Sequence, residues 1–160
     1  MTEELTGYAT ELKRLLDKVC GAIDGLNEAQ LNWTPDAPET NSAYVIARHA
    51  LGNAEAWVLG IACGQPVERD RDAEFRAAGS DAAPLIDLAR KLSQRIGEAL
   101  AALPPPALDE PRDPPAALRG VGPAQPLTGR QALMLAIDHA AIHVGEIQLT
   151  RALALSSTES

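Results

Sequence analysis

Aromatic residues make up only 3% of this 160-residue chain. A β core would draw on Val, Ile, Tyr and Phe, so the shortage points to helices built from Leu and Ala. Cysteine is equally scarce. Cys20 and Cys63 lie far apart in no CxxC motif, and both fall at the ends of apolar helical stretches. They read as two buried, reduced thiols. Positive charge is short as well: the net charge is −8 and no Lys/Arg cluster interrupts the acidic balance. That excludes the electrostatic footprint of a nucleic-acid binder. No apolar run reaches the roughly 18 residues of a membrane span, so none is expected. The opening MTEELTGYATELKRLL lacks the basic and apolar regions of a signal peptide, which makes the cytoplasm the expected compartment. There is no GxSxG motif and no phosphate-binding glycine loop.

What is present is apolar periodicity. Hydrophobic residues make up 46% of the chain, enough for one globular domain over residues 1–160. Leu5, Tyr8, Leu12, Leu15, Leu16, Val19, Ile23 and Leu26 recur at three- and four-residue steps, predicting a first helix from Thr2 to Gly25. The following LNEAQLNWTPDAPETNS, with Pro35 and Pro38, reads as a loop. A second helix starts at Asn41 or Ser42 and stops before Gly64. One face runs through Val45, Ile46, His49, Asn53, Trp57 and Gly60, while Leu51, Val58 and Leu59 lie elsewhere, as expected of a helix packed on two sides. Residues 65–80 form a charged surface connection with room for a helical turn. A third helix spans Asp81 to Leu103 on Leu85, Leu88, Leu92, Ile96, Leu100 and Leu103, and Pro104 to Pro106 end it. Residues 104–128 hold eight of the twelve prolines and fit neither a compact helix nor a strand. A connection this long inside a small domain is a crossover or a cover for the bundle mouth. The fourth helix opens on the capping box Thr128-Gly-Arg-Gln131 and runs to Leu153, before the polar SSTES. The expected fold is all-α, a four-helix bundle with a long proline-rich crossover between helices 3 and 4.

All three histidines of the chain fall on these helices: His49 on the second, His139 and His143 on the fourth. Residues four apart share a helix face, with Cβ atoms about 6 Å apart. Two such imidazoles can take adjacent positions on one divalent metal, and a third from a facing helix completes a facial set with positions left open. An HxxxH pair alone is weak, because many helices contain one by chance, and a lone histidine is more often hydrogen-bonded or on the surface. Here the pair lies in the apolar ALMLAIDHAAIHVGEIQLTR, where an unpartnered imidazole is costly to bury. Asn53 and Trp57, one and two turns beyond His49, are candidates to line a substrate cavity, with ordinary core packing the alternative for Trp57. Asp138 points about 100° away from His139, which favours the surface. Trp33 is placed to anchor its loop over a bundle end. Arg151 can pair with an acid or an anionic ligand.

The run NWTPDAPETNSAYVIARHALGNAEAW resembles the region of the first metal histidine in the DinB/YfiT-like superfamily, and DHAAIHVGEIQLTR resembles its HxxxHxGQ signature. The order and spacing of the histidines match too. The likeness covers most of the chain as architecture and these two segments as motif. It implies a four-helix bundle, often a homodimer, whose histidines bind a divalent ion, zinc or nickel. Carried over, the ligands are His49, His139 and His143. It further implies a small-molecule substrate and thiol-dependent transfer or isomerisation with a low-molecular-weight thiol such as mycothiol or bacillithiol, although many members have no assigned reaction. Metal-activated water and hydrolysis are the other chemistry such a site offers. The alternative is a non-enzymatic protein, metal-stabilised or metal-free, that binds or dimerises. One position departs from the pattern: the signature has Gln where this chain has Glu146. Glu146 can face the histidines as a catalytic base, an outer acceptor or a fourth ligand, or it can simply face solvent.

Overall fold

The computed structural model describes residues 1–120 and 125–158. The chain is mostly helical. Helix α1 (Glu3–Ile23) is capped by the Thr2 hydroxyl, which accepts from the Leu5 amide. Leu5, Leu12, Leu15, Leu16, Val19 and Ile23 of the expected stripe are buried, and Tyr8 is partly so. The turn after α1 uses Gly25 at φ 75°, a left-handed conformation that suits a residue without Cβ. The segment read as a loop then contains a short helix, α2 (Glu28–Asn32). Asn27 and Gln30 close a reciprocal capping box at its start. Helix formation there rests on that cap and on Leu31, one buried residue, so no periodicity betrays it.

Helix α3 (Ala43–Ala54) starts on the Ser42 cap, and every residue in it except Arg48 is buried. That is the two-sided packing expected. It continues without a break into a π-helical stretch, Glu55–Ala62, whose end is marked by the Cys63 amide donating to Val58 O at 2.9 Å. Helix α4 (Arg71–Phe75) is the helical turn allowed for within the charged connection. Helix α5 (Ala83–Ala102) buries Leu85, Leu92, Ile96 and Leu100, with Leu88 and Leu103 partly covered.

The proline-rich connection is more structured than its composition suggests. It makes a 3₁₀ turn (Pro105–Leu108), strand β1 (Pro111–Arg112), helix α6 (Ala116–Arg119) and strand β2 (Leu127–Thr128). β1 and β2 pair antiparallel, Pro111 opposite Thr128 and Arg112 opposite Leu127. The expectation of no strand and no helix in this stretch is therefore corrected. Two-residue strands and a one-turn helix are too short to carry a period, and Pro111 and Pro115 occupy positions where a missing N–H is tolerated. Residues 121–124 of the connection and the last two residues of the tail lie outside the described residues. The pairing folds α6 back onto the π-helical stretch. There Leu118 fits over Gly60, where a Cβ would stand 2.8 Å from Leu118 Cδ1.

Helix α7 (Gly129–Thr158), about 45 Å long at 1.5 Å per residue, packs against α1, α3 and the π-helical stretch, while α5 packs against α1. Its capping box forms as read: Thr128 N donates to Gln131 Oε1 at 2.8 Å and Gln131 N to Thr128 Oγ1 at 3.2 Å. The helix extends past Leu153 through most of the polar tail. Arg151 forms no ion pair with an acid among the described residues. It donates to the Ala22 and Asp24 carbonyls at 3.1 and 2.8 Å, satisfying acceptors at the end of α1. Trp33 caps the end of α2 and is partly buried. Among the described residues, no helix is long and apolar enough to cross a membrane.

Candidate metal centre

His49 sits midway along α3, 5% exposed, and faces His139 and His143 on α7 across the α3–α7 contact. The three side chains converge through their Nε2 atoms. His139 Nε2 lies 3.2 Å from His49 Nε2 and 3.1 Å from His143 Nε2. The rings stand 71°, 85° and 89° to one another, and one ring nitrogen of each lies within 4.8 Å of the other two. Ligand nitrogens about 2.0–2.1 Å from an ion, at tetrahedral to octahedral angles, are about 2.9–3.4 Å apart. The donor set thus fits one divalent ion. Among the described residues, these histidines are the one group of three or more His, Cys, Asp and Glu side chains close enough to share an ion.

Two carboxylates orient this set, and sequence reasoning found only one. Glu74, on α4, is 1% exposed and accepts from His49 Nδ1 at 2.8 Å. Arg69 holds Glu74 in a bidentate pair, Nε to Oε1 at 2.8 Å and Nη2 to Oε2 at 2.9 Å, and donates through Nη1 to Leu118 O at 3.2 Å. With its Nδ1 proton on Glu74, His49 presents an unprotonated Nε2 to the centre. Burial alone would raise the Glu74 pKa, but the bonds from His49 and Arg69 outweigh it and hold the carboxylate below its ordinary range. The approach depends on Gly52. A Cβ there would stand 2.0 Å from Glu74 Oε1, so the buried glycine makes room for the carboxylate against α3. Phe75, the sole phenylalanine, lies against the His49 ring at 4.7 Å between centroids. In sequence, Glu74 and Arg69 belong to the charged VERDRDAEF, which looks like solvated surface. The available signals were a glycine inside the helix that carries His49 and one Phe in a polar run.

The second carboxylate is Glu146. It is exposed and accepts from His143 Nδ1 at 2.5 Å, which points the Nε2 lone pair of His143 inward as well. The structure thus places Glu146 against a histidine and outside the ligand cluster. Desolvation, followed by repulsion from His143 and His49, pushes His139 down to about 3. Desolvation also lowers His143, against the opposing pull of Glu146. Around neutrality His139 and His143 therefore offer nitrogen lone pairs instead of protons.

A cavity of about 230 Å³ opens beside His49 and His139. Asn53 and Trp57 both line it, together with Arg69, Arg71 and Arg119, and Asp138 stands exposed at its edge. The cysteines are not part of it. Both are free and partly buried, not fully buried as expected, and burial pushes Cys20 up and Cys63 up to about 11.

Comparison with known proteins bears on the fold and the family. A crystal structure of a DinB-like protein from Bacillus cereus superposes with a TM-score of 0.72 over 93% of this chain and 91% of that one, at 19% identity. That likeness concerns the fold. No curated protein matches the sequence. Residues 11–147, which run from the middle of α1 through all three histidines and Glu146, match the DinB superfamily, and the chain belongs to it.

Proposed function

We propose that the protein is a metal-dependent enzyme that acts on a small molecule at a three-histidine centre. The long helices α1, α3, α5 and α7 act as a four-helix bundle in one domain, with the proline-rich connection as its crossover. The observation that carries the reading is the convergence of three Nε2 atoms at 3.1 and 3.2 Å next to an open cavity. His49, His139 and His143 would hold the ion, zinc or nickel. Bound there, the ion would supply Lewis acidity, enough to bring a water pKa towards about 7 or to keep a thiol deprotonated.

The chain's own residues do the rest. Glu74 keeps the His49 proton on Nδ1, and Arg69 keeps Glu74 charged and in place. Glu146 does the same for His143 and, being exposed, can also move a proton to or from solvent. Asn53 and Trp57 shape the wall against which a substrate would rest. Because both cysteines are held as thiols away from this wall, thiol-dependent transfer or isomerisation would use a low-molecular-weight thiol from solution.

The same reading includes a homodimer. Leu135, Ile142 and Leu149 recur every seven residues on α7 and are 47%, 53% and 63% exposed, an apolar stripe suited to a second copy. The functional test is metal content in untagged protein purified without chelator, with the His49→Ala and His143→Ala variants alongside. About one ion per chain, lost in both variants, is expected and justifies a screen of thiols and electrophiles. Absence of metal, with no uptake of added zinc or nickel, overturns the reading.

A further inference from the structure

The cavity beside the histidines carries the wrong charge for this protein. The chain has 22 acidic residues against 14 Lys and Arg, yet three arginines, Arg69, Arg71 and Arg119, line one small space. They come from different places: the loop before α4, the first turn of α4, and the end of α6. Arg69 is already neutralised by Glu74. Arg71 makes no ion pair among the described residues. Its guanidinium lies 4.6 Å over the Phe75 ring, a stacking that leaves the N–H edge available. The acids next to it in sequence do not answer it. Asp70 caps α4 by accepting from Ala73 N at 2.9 Å; Asp70 and Asp72 share an outer groove with Arg69 and Arg71, but neither forms an ion pair with Arg71 among the described residues. Asp138, at the edge, is the one carboxylate of the cavity lining. Against the wall stands Asn53, 7% exposed, whose side-chain amide makes no hydrogen bond among the described residues. This amide borders the open space of the cavity, where a ligand can meet it.

We propose that this cavity binds the oxyanion group, carboxylate or phosphate, of a small molecule through Arg71 and Arg119, with the Asn53 amide as a further polar contact. The inference rests on the reading of the histidines as a metal centre only for the substrate's orientation: the oxyanion docks on the arginines and the remainder of the molecule extends toward His49 and His139. Guanidinium groups suit this task because their planar donor forks match both carboxylate and phosphate.

The test is calorimetric titration of acetate, inorganic phosphate and the neutral isostere acetamide into the wild-type chain, Arg71→Gln, Arg119→Gln and the double variant. Each protein is studied both zinc-loaded and chelator-treated, with folding checked by circular dichroism. At least one of the two anions should bind and acetamide should not. The anion that binds more tightly identifies the group as carboxylate or phosphate. Each single substitution should weaken the preferred anion about tenfold or more, the loss expected for one charge-assisted contact. Equal binding of acetate and acetamide without phosphate binding, or anion affinity unchanged in both single variants, overturns the proposal. If the double variant does not fold, the wild-type comparison of anion with isostere still decides. Anion binding in chelator-treated protein that fails to take up zinc would support the anion site and refute the metal reading. Zinc uptake with arginine-independent anion binding would do the reverse.

Discussion

The two helices that supply the histidines hold them in different ways. On α3, His49 is buried and its outer nitrogen is fixed by a buried pair, Glu74 with Arg69, from a separate part of the chain. On α7, His143 is steered by Glu146, three residues away on the same helix and half exposed. One side is preorganised by tertiary packing that excludes water. The other uses a local bond on a surface where water competes. An ion at the centre would therefore meet one rigid ligand and two adjustable ones, and the rigid side should account for most of the energetic cost when it is disturbed.

That contrast gives a ranked set of expectations. The largest concerns Glu74→Ala. It leaves Arg69, whose side chain is 3% exposed, buried without its counter-charge. Removing one partner of a buried ion pair costs about 3–5 kcal/mol, so denaturant unfolding of the chelator-treated protein should show a loss of that order. An unfolding midpoint equal to wild type would show that the pair is solvated. Next comes acidity. His139 is held down to about 3 in the folded chain, against 6.5 for an ordinary histidine, and His143 is lowered too. A depressed histidine means that the unfolded state takes up protons that the folded state refuses, so stability falls as pH drops below about 6.5 and is flat above it. Between pH 7.5 and 5 the midpoint of metal-free protein should fall, and the slope should shrink in His139→Ala. A midpoint that is constant or rises on acidification contradicts the sign.

Gly52→Ala is a finer probe of the rigid side. The added Cβ must displace Glu74 Oε1, 2.0 Å away, without removing any charge. Metal affinity, measured against a competing chelator, should drop about ten- to a hundredfold, as when a partner behind a ligand is disturbed, while helical content holds. Glu146→Gln should matter least. The pair is exposed, worth about 0–1 kcal/mol, and a glutamine carbonyl can still accept from His143 Nδ1. An affinity loss under about tenfold is expected. A loss matching that of Gly52→Ala would erase the distinction between the two sides.

The same contrast explains what could be read from the chain. The stripes of α1 and α5 were legible because long amphipathic helices repeat their signal over several turns, as Leu5, Leu12 and Val19 do. The His49, His139 and His143 cluster was legible because helical spacing fixes which residues share a face. Glu146 could be placed near His143 for the same reason. Glu74 and Arg69 were not, since a short helix in a charged run gives no period and the pair forms only when α4 folds onto Gly52. Arg119 reaches the cavity through two-residue strands and a one-turn helix, elements that no pattern marks. The backbone carbonyls that Arg151 reaches were not legible, because sequence does not display them.

The central claim is that the three Nε2 atoms are ligands of one ion that keeps a position open. X-ray absorption on the zinc- or nickel-loaded protein tests it most directly. The account predicts three imidazole scatterers with metal–nitrogen distances near about 2.0–2.1 Å, plus at least one exchangeable oxygen ligand that a small thiol replaces with sulfur. A coordination sphere closed by a fourth protein group such as Glu146, or one with fewer than three imidazoles, would contradict it.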